Sequence, residues 1–297
     1  MKFKDIYGKW KFIIIFEILI ICVLSIIFGV LTYYMHERRI ESAEKRAEVQ
    51  KSDDERIGER FVLERDGEED AILNLYYPQN ETDEKVPIIF NIHGGGFTYG
   101  DVDELDSQSD NWSKNWNVMV VAINYTTLDL KPMKYAVEEI LDTIKYFQNN
   151  ADKYHIDVDN MFILGHSAGG HYAAQTAIEA TNQNVKLKGQ ILCSPWTSGL
   201  PEEVSENLPP ALFILGGDDE ISKLSINYQE RLANVGVEVT AYEYENGLHS
   251  FIYTLYPELK KSTPLDSIEV VYDEEQQKIA KEAENDIHEW ILKMLDL

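Results

Sequence analysis

The chain has 297 residues, 44% of them apolar, and a formal net charge of −25 at pH 7. That length holds one large domain or two small ones around a real core. The charge argues against a nucleic-acid partner, since a phosphate backbone rewards basic surfaces, and it disfavours highly anionic substrates; we read it as a solvated, solubilising surface.

In chain order, a short basic tail (1–11) precedes an apolar run over 12–34, FIIIFEILIICVLSIIFGVLTYY, interrupted only by Glu17. At about 1.5 Å per residue such a run is long enough to cross a bilayer, and from 18 onward it still reaches the lower end of the spanning range, so Glu17 can lie near the headgroups. It is too long for a signal-peptide core and no small-x-small site follows, so an uncleaved, single-pass membrane anchor is expected. Lysines 2, 4, 9 and 11 precede the run, and Arg38, Arg39, Lys45, Arg46 and Lys51 follow it, so the distribution of positive charge does not fix the orientation. A short basic N-terminus before a first span commonly stays inside, which would place the large acidic domain outside the cell. Cys22 falls in the apolar run and Cys193 in an expected strand, so no internal disulfide is expected.

Residues 35–60 are densely charged and read as a helical or flexible stalk. From 61 to 297 the pattern changes to short β-rich runs alternating with helical periodicity. Strands are expected at 61–65, 71–77, 86–92, 118–124, 161–165, 187–193, 211–215 and 237–244, the first two as an edge hairpin. A helix over 134–150 aligns Val137, Ile140, Leu141, Ile144 and Phe147 on one stripe. A final helix over 276–295 does the same with Ile279, Ala283, Ile287, Trp290, Ile291 and Met294. Alternating strands and helices predict an α/β architecture, an open, mostly parallel sheet of eight strands covered on both faces, with ligand sites at the carboxyl ends of the strands.

The motifs fall at those strand ends. Gly165-His-Ser-Ala-Gly-Gly-His171 follows one strand and opens an alanine-rich helix, the context in which G-x-S-x-G exposes a serine nucleophile on a tight turn. A serine hydroxyl needs a base at the moment of attack, and the base needs an orienting acid. Gly216-Gly-Asp-Asp-Glu220 and Glu245-Asn-Gly-Leu-His249 supply both after later strands, in the order serine, acid, histidine. Ser167 is thus the expected nucleophile, His249 the base and Asp219 the acid, with Asp218 its rival and Glu220 a weaker one. His166 and His171 flank the serine and are expected to pack or cap. Asn91-Ile-His-Gly-Gly-Gly-Phe97 offers backbone N–H groups after another strand, and Gly95, Gly96 and Ala168 are the expected oxyanion donors. No G-K-[ST] follows to make it a phosphate loop.

In combination, HGGGF at 93–97, GHSAGG at 165–170, the acid at 219 and His249-Ser-Phe resemble the α/β-hydrolase carboxylesterases, the hormone-sensitive-lipase-like and feruloyl-esterase-like bacterial groups. Members carry a tyrosine nine positions after the acid, and Tyr228 stands nine after Asp219; that register favours Asp219 over Asp218. The resemblance runs from about residue 71 to the C-terminus and implies an α/β-hydrolase fold. The segment 194–210 is too short for the substantial cap that lipase-like relatives carry, so a shallow site for small acyl groups is expected. Phe97, Tyr99, Trp196 and Leu248 neighbour the motifs and are expected pocket walls. Residues 256–273 exceed what the fold needs and read either as a pocket rim or as a surface loop.

The expected activity is hydrolysis of a small-molecule, short-chain acyl ester, for example an acetyl ester, by a membrane-tethered serine hydrolase. Amide hydrolysis on the same residues, as a peptidase or formamidase, remains open, as does a non-catalytic binding module on a hydrolase scaffold. No cofactor is needed for this chemistry, and the seven histidines show no metal-binding spacing.

Overall fold

The structure, a computed structural model, describes residues 3–79, 84–249, 251–256 and 273–297. It divides into two units, 1–44 and 45–297. The first consists of helix α1 (Phe3–Val49), whose last residues belong to the second unit. Consecutive side chains such as Ile13, Ile14, Ile15 and Phe16 are all exposed, so α1 is apolar around its whole circumference there. It is long and apolar enough to cross a membrane.

The second unit alternates strands and helices. In chain order it contains β1 (Glu59–Leu63), β2 (Ala71–Tyr76), β3 (Val86–Ile92), a 3-10 turn at Val102–Leu105, α2 (Asp106–Trp116), β4 (Met119–Asn124), α3 (Met133–Asn149) and α4 (Ala151–Tyr154). There follow β5 (Ile156–His166), α5 (Ala168–Asn182), β6 (Gly189–Cys193), β7 (Ala211–Gly216), α6 (Glu220–Lys223), α7 (Ser225–Asn234), β8 (Val239–Tyr244), a 3-10 turn at Phe251–Leu255 and α8 (Glu274–Met294). The eight strands form one sheet in the order β1-β2-β4-β3-β5-β6-β7-β8. β1 and β2 form the expected antiparallel edge hairpin, β2 also meets β4 antiparallel, and every other pairing is parallel.

Parallel strands joined by helical crossovers bury both sheet faces, and the side chains sort by their period of two. Ile88, Phe90 and Ile92 of β3 pack with Ile140, Ile144 and Phe147 of α3 and with the alanines of α5. Ile89 points the other way, into the layer where Trp112 of α2 meets Ile287, Trp290 and Ile291 of α8. Each such side chain contributes roughly 1.5–3 kcal/mol by leaving water.

The strands expected at 61–65, 187–193 and 237–244 are displaced or shortened by two residues, to Glu59–Leu63, Gly189–Cys193 and Val239–Tyr244, and two elements differ more. β5 begins five residues earlier than periodicity suggests, because Ile156 pairs with Val86 across an irregularity in the β3–β5 ladder, and polar residues 157–160 mask the pattern. Helix α2 has no signal in the periodicity: Asp-Ser-Gln-Ser-Asp-Asn-Trp-Ser-Lys-Asn-Trp lacks an apolar stripe, and its buried face consists of Trp112 with Asp106, Gln108, Ser109 and Ser113. Between β6 and β7, residues 194–210 contain no helix or strand. Of the segment 256–273, residues 257–272 lie outside the described residues.

Candidate active site

The functional side chains gather where β3, β5, β7 and β8 end. Ser167 sits between β5 and α5 with φ 52° and ψ −116°, a backbone conformation that costs a non-glycine residue of order 1–3 kcal/mol and survives only where its surroundings enforce it. Enforcement is visible on both sides. The Ser167 N–H donates to the Cys193 carbonyl at 2.9 Å, and the Ser167 carbonyl accepts from the Trp196 N–H at 3.1 Å. At the second residue of α5, a β-carbon on Gly169 would lie 2.3 Å from the His93 carbonyl oxygen. Glycine there lets α5 press against the glycine-rich loop after β3.

The loop after β7 carries Asp218 and Asp219, which differ completely in environment. Asp218 is exposed, whereas Asp219 is 3% exposed and caps α6 by accepting the Ile221 N–H on Oδ1 at 2.9 Å. Its Oδ2 accepts from the Ser222 hydroxyl at 2.6 Å and from His249 Nδ1 at 2.9 Å. Burial alone would push this carboxyl up, but the hydrogen bonds from His249, Ser222 and the Ile221 N–H outweigh it and hold it below its usual range. Asp219 is therefore an acceptor at neutral pH. Nδ1 of His249 must then carry the proton, which leaves the Nε2 lone pair facing the Ser167 hydroxyl at 2.9 Å.

The histidine loop is held from below by Gln276, in the first turn of α8. Asp273 caps α8 by accepting the Gln276 N–H, and the Gln276 side chain bridges the loop: its Nε2 donates to the Asn246 carbonyl at 2.7 Å and its Oε1 accepts the Leu248 N–H at 3.1 Å. An acidic cap followed three positions later by Gln was the available signal.

The loop Gly94–Phe97 lies beside the serine: a β-carbon on Gly94 would stand 3.5 Å from Ser167 Cβ. Two buried tyrosines pin the Gly94 residue, Tyr253 accepting its N–H at 3.2 Å and Tyr125 donating to its carbonyl at 3.2 Å. Gly95, at φ 115°, reverses the chain so tightly that its β-carbon would lie 2.2 Å from the Tyr99 carbonyl oxygen. The Gly95 carbonyl accepts from the N–H groups of Thr98 and Tyr99. Among the described residues, no hydrogen bond outside helices and strands takes the N–H of Gly95, Gly96 or Ala168.

Of the expected pocket walls, Phe97 and Trp196 are brought together, ring edge to face at 6.4 Å, with His171 and Tyr172 also against Phe97. Trp196 is 37% exposed. Tyr99 is instead buried in the loop, and Leu248 is half-buried. No described ring contact joins Tyr99 to Phe97 or Trp196. The two histidines flanking Ser167 pack as expected. His171 Nδ1 lies 2.9 Å from the Trp196 carbonyl, and burial lowers its pKa. His166 is fully buried against Tyr253, its ring nitrogens make no hydrogen bond with the described residues, and burial with the nearby His93 pushes its pKa down to about 3. Tyr228 is buried on α7 against Phe213. Among the described residues no group of three or more His, Cys, Asp or Glu side chains is arranged to hold a metal ion.

A family model of the α/β hydrolase fold matches residues 89–207, the stretch containing both the glycine loop and the serine turn. An acetyl esterase of Salmonella schwarzengrund is 28% identical over 141 residues, 47% of this chain and 43% of that protein. The esterase LipI of Mycobacterium tuberculosis is 23% identical over 224 residues, 60% of this chain and 70% of its own. The chain thus spans less than half the length of the acetyl esterase it matches. Among solved structures, EstE1, a thermophilic carboxylesterase cloned from a metagenomic library, superposes with a TM-score of 0.61 at 20% identity, covering 87% of this chain and 96% of that one. The chain has the α/β-hydrolase fold, and the acetyl esterase, the esterase LipI and the carboxylesterase EstE1 are what it is similar to.

Proposed function

We propose that this protein is a membrane-anchored serine carboxylesterase that cleaves short-chain acyl esters through an acyl-enzyme on Ser167. The observation that carries the reading is the unbroken hydrogen-bond chain from Asp219 through His249 to Ser167. As Ser167 Oγ attacks the ester carbonyl, His249 Nε2 takes its proton, and Asp219 stabilises the imidazolium without itself becoming protonated. The N–H groups of Gly95, Gly96 and Ala168 receive the developing oxyanion, each such donor being worth about 3 kcal/mol at the transition state. His249 then passes the proton to the leaving alcohol. Water, deprotonated by the same imidazole, releases the acid and regenerates the serine.

Preference for a short acyl group is supported by the brief 194–210 connection, which carries no helical lid, and by the aromatic pair Phe97 and Trp196 beside the serine turn. Anchoring is supported by the all-round apolar surface of α1, and the basic residues before the span favour a hydrolase unit outside the cell. In this reading 12–34 is the anchor and 61–297 carries the catalytic machinery.

The test uses the full chain in detergent micelles with p-nitrophenyl acetate, butyrate and octanoate, and the matching anilides. Turnover should fall with chain length and be far slower on the amides, and Ser167→Ala should lose about 10⁴-fold or more in kcat. Activity that survives that substitution, or a preference for the anilides, overturns the reading.

A further inference from the structure

The loop that presents the Gly95 and Gly96 amides is unusual in holding three successive left-handed residues, Gly95 (φ 115°), Gly96 (φ 56°) and Phe97 (φ 71°). Phe97 has a β-carbon and resists that conformation, so the loop needs ties from outside. Within itself it has the two bonds from Thr98 and Tyr99 to the Gly95 carbonyl. The next two carbonyls are held from elsewhere. The Phe97 carbonyl accepts the Leu128 N–H at 2.8 Å, and the Thr98 carbonyl accepts Arg46 Nη1 at 2.6 Å.

Arg46 is distant in sequence from every other residue of this region. Its guanidinium also donates to the Thr127 hydroxyl at 3.0 Å and to the Asp129 carboxylate at 3.1 and 3.3 Å. Both charged side chains are largely withdrawn from water, 14% and 8% exposed. The planar fork thereby stitches the Thr98 carbonyl to the 127–129 turn, the turn whose Leu128 N–H holds the Phe97 carbonyl. Nη1 makes the bonds to Thr98, Thr127 and Asp129 and Nη2 adds a second to Asp129 Oδ2, a two-nitrogen grip on the carboxylate that a lysine ammonium lacks. The following residues continue the same contact. Gln50 donates to Asp101, Lys51 to Asp103 and Asp106, and Arg56 and Arg60 to Asp103, along the stretch that leads from the glycine loop into α2.

We propose that Arg46 is a positioning residue for the oxyanion loop: by fixing the carbonyls of residues 97 and 98 toward the 127–129 turn, it keeps the Gly95 and Gly96 amides facing the substrate oxygen. The inference rests on the esterase reading of Ser167. It makes the transition-state complement of this enzyme depend on a side chain outside the hydrolase motifs, contributed by the last turn of α1, which belongs to the second unit. Arg46 touches no reacting atom, so its removal misplaces the donors rather than abolishing them.

The experiment compares full-length wild type, Arg46→Ala and Arg46→Lys in detergent, with rates normalised to active sites titrated by a fluorophosphonate. Expected for Arg46→Ala is a fall in kcat per titrated site of about 10- to 100-fold, the scale on which small displacements of catalytic groups act, with KM within about twofold. Affinity for a trifluoromethyl ketone, whose hemiketal oxygen occupies the donor site, should fall by the same factor. The pH midpoint of kcat should not move, since His249 and Asp219 are untouched. Arg46→Lys should fall between the two, and millimolar guanidinium should restore part of the Arg46→Ala rate. A merely structural role lowers the titrated fraction and leaves kcat per site and ketone affinity at wild-type values; that result, in either variant, overturns the proposal. If Ser167→Ala abolishes turnover while Arg46→Ala is unaffected, only this inference fails. If Ser167→Ala remains active, the esterase reading fails first.

Discussion

Replacing Asp219 by asparagine is a severe test because the structure leaves the new amide no harmless orientation. Oδ1 accepts the Ile221 N–H, while Oδ2 accepts from both Ser222 and His249. If the amide keeps its oxygen toward Ile221, its NH₂ faces His249 Nδ1, which must then become an acceptor. The ring proton moves to Nε2, and a donor now faces the Ser167 hydroxyl where a base is needed. If the amide turns over, its NH₂ meets the Ile221 N–H, donor against donor at the first turn of α6, and a cap worth about 1 kcal/mol is lost. The first arrangement costs no cap and should prevail, with kcat lower by about 10⁴-fold, or about 5 kcal/mol of barrier. Initial rates on p-nitrophenyl acetate, normalised to folded protein, measure it. Asp218→Asn and Glu220→Gln, both exposed, should stay within about twofold, as surface changes do. A loss below tenfold in Asp219→Asn would refute the assignment of the acid.

Gly169→Ala places a methyl 2.3 Å from the His93 carbonyl oxygen, so α5 and the glycine loop must part; kcat should drop by about 10²-fold, which steady-state kinetics on the acetate ester would report, and a wild-type rate would contradict the packing. Glu139 on α3 accepts from the Thr126 N–H and hydroxyl, and burial, only partly offset by these bonds and Arg65, raises its pKa from 4.5 to about 7. A carboxyl held protonated in the fold contributes stability that is full below pH 4.5 and lost as pH rises through about 7, by up to about 3 kcal/mol. Tm measured from pH 4 to 8 should therefore fall in wild type relative to Glu139→Gln across that window, and parallel curves would count against it.

Much of this arrangement is legible in the chain because it is written locally. The strand over 86–92 has the bounds expected of it, and the three loops bearing Gly95, Ser167 and His249 follow strands recognisable from short apolar runs flanked by glycine. What periodicity cannot reveal is pairing across distance. Asp103 and Asp106 read as surface charge, yet they are fully buried and held by Lys51, Arg56 and Arg60, whose own segment reads as a solvated stalk. Burial raises the Asp103 carboxyl, but Asn74, the Lys51 N–H and the two arginines bring it below its ordinary range. For the same reason α2 leaves no periodic signal, since its inward face is largely polar and finds its partners on other elements. Tyr253 and Tyr125 carry no signal at all until folding brings both to Gly94.

The most direct measurement is to quench the full-length protein with acid during turnover of an activated acetate ester and to locate the acetyl group by mass spectrometry. An acetyl mass on the peptide containing Ser167, absent from Ser167→Ala and accumulating in a pre-steady-state burst, is the predicted result. Turnover without such an adduct, or with the acetyl group on another side chain that tracks activity, would contradict the account.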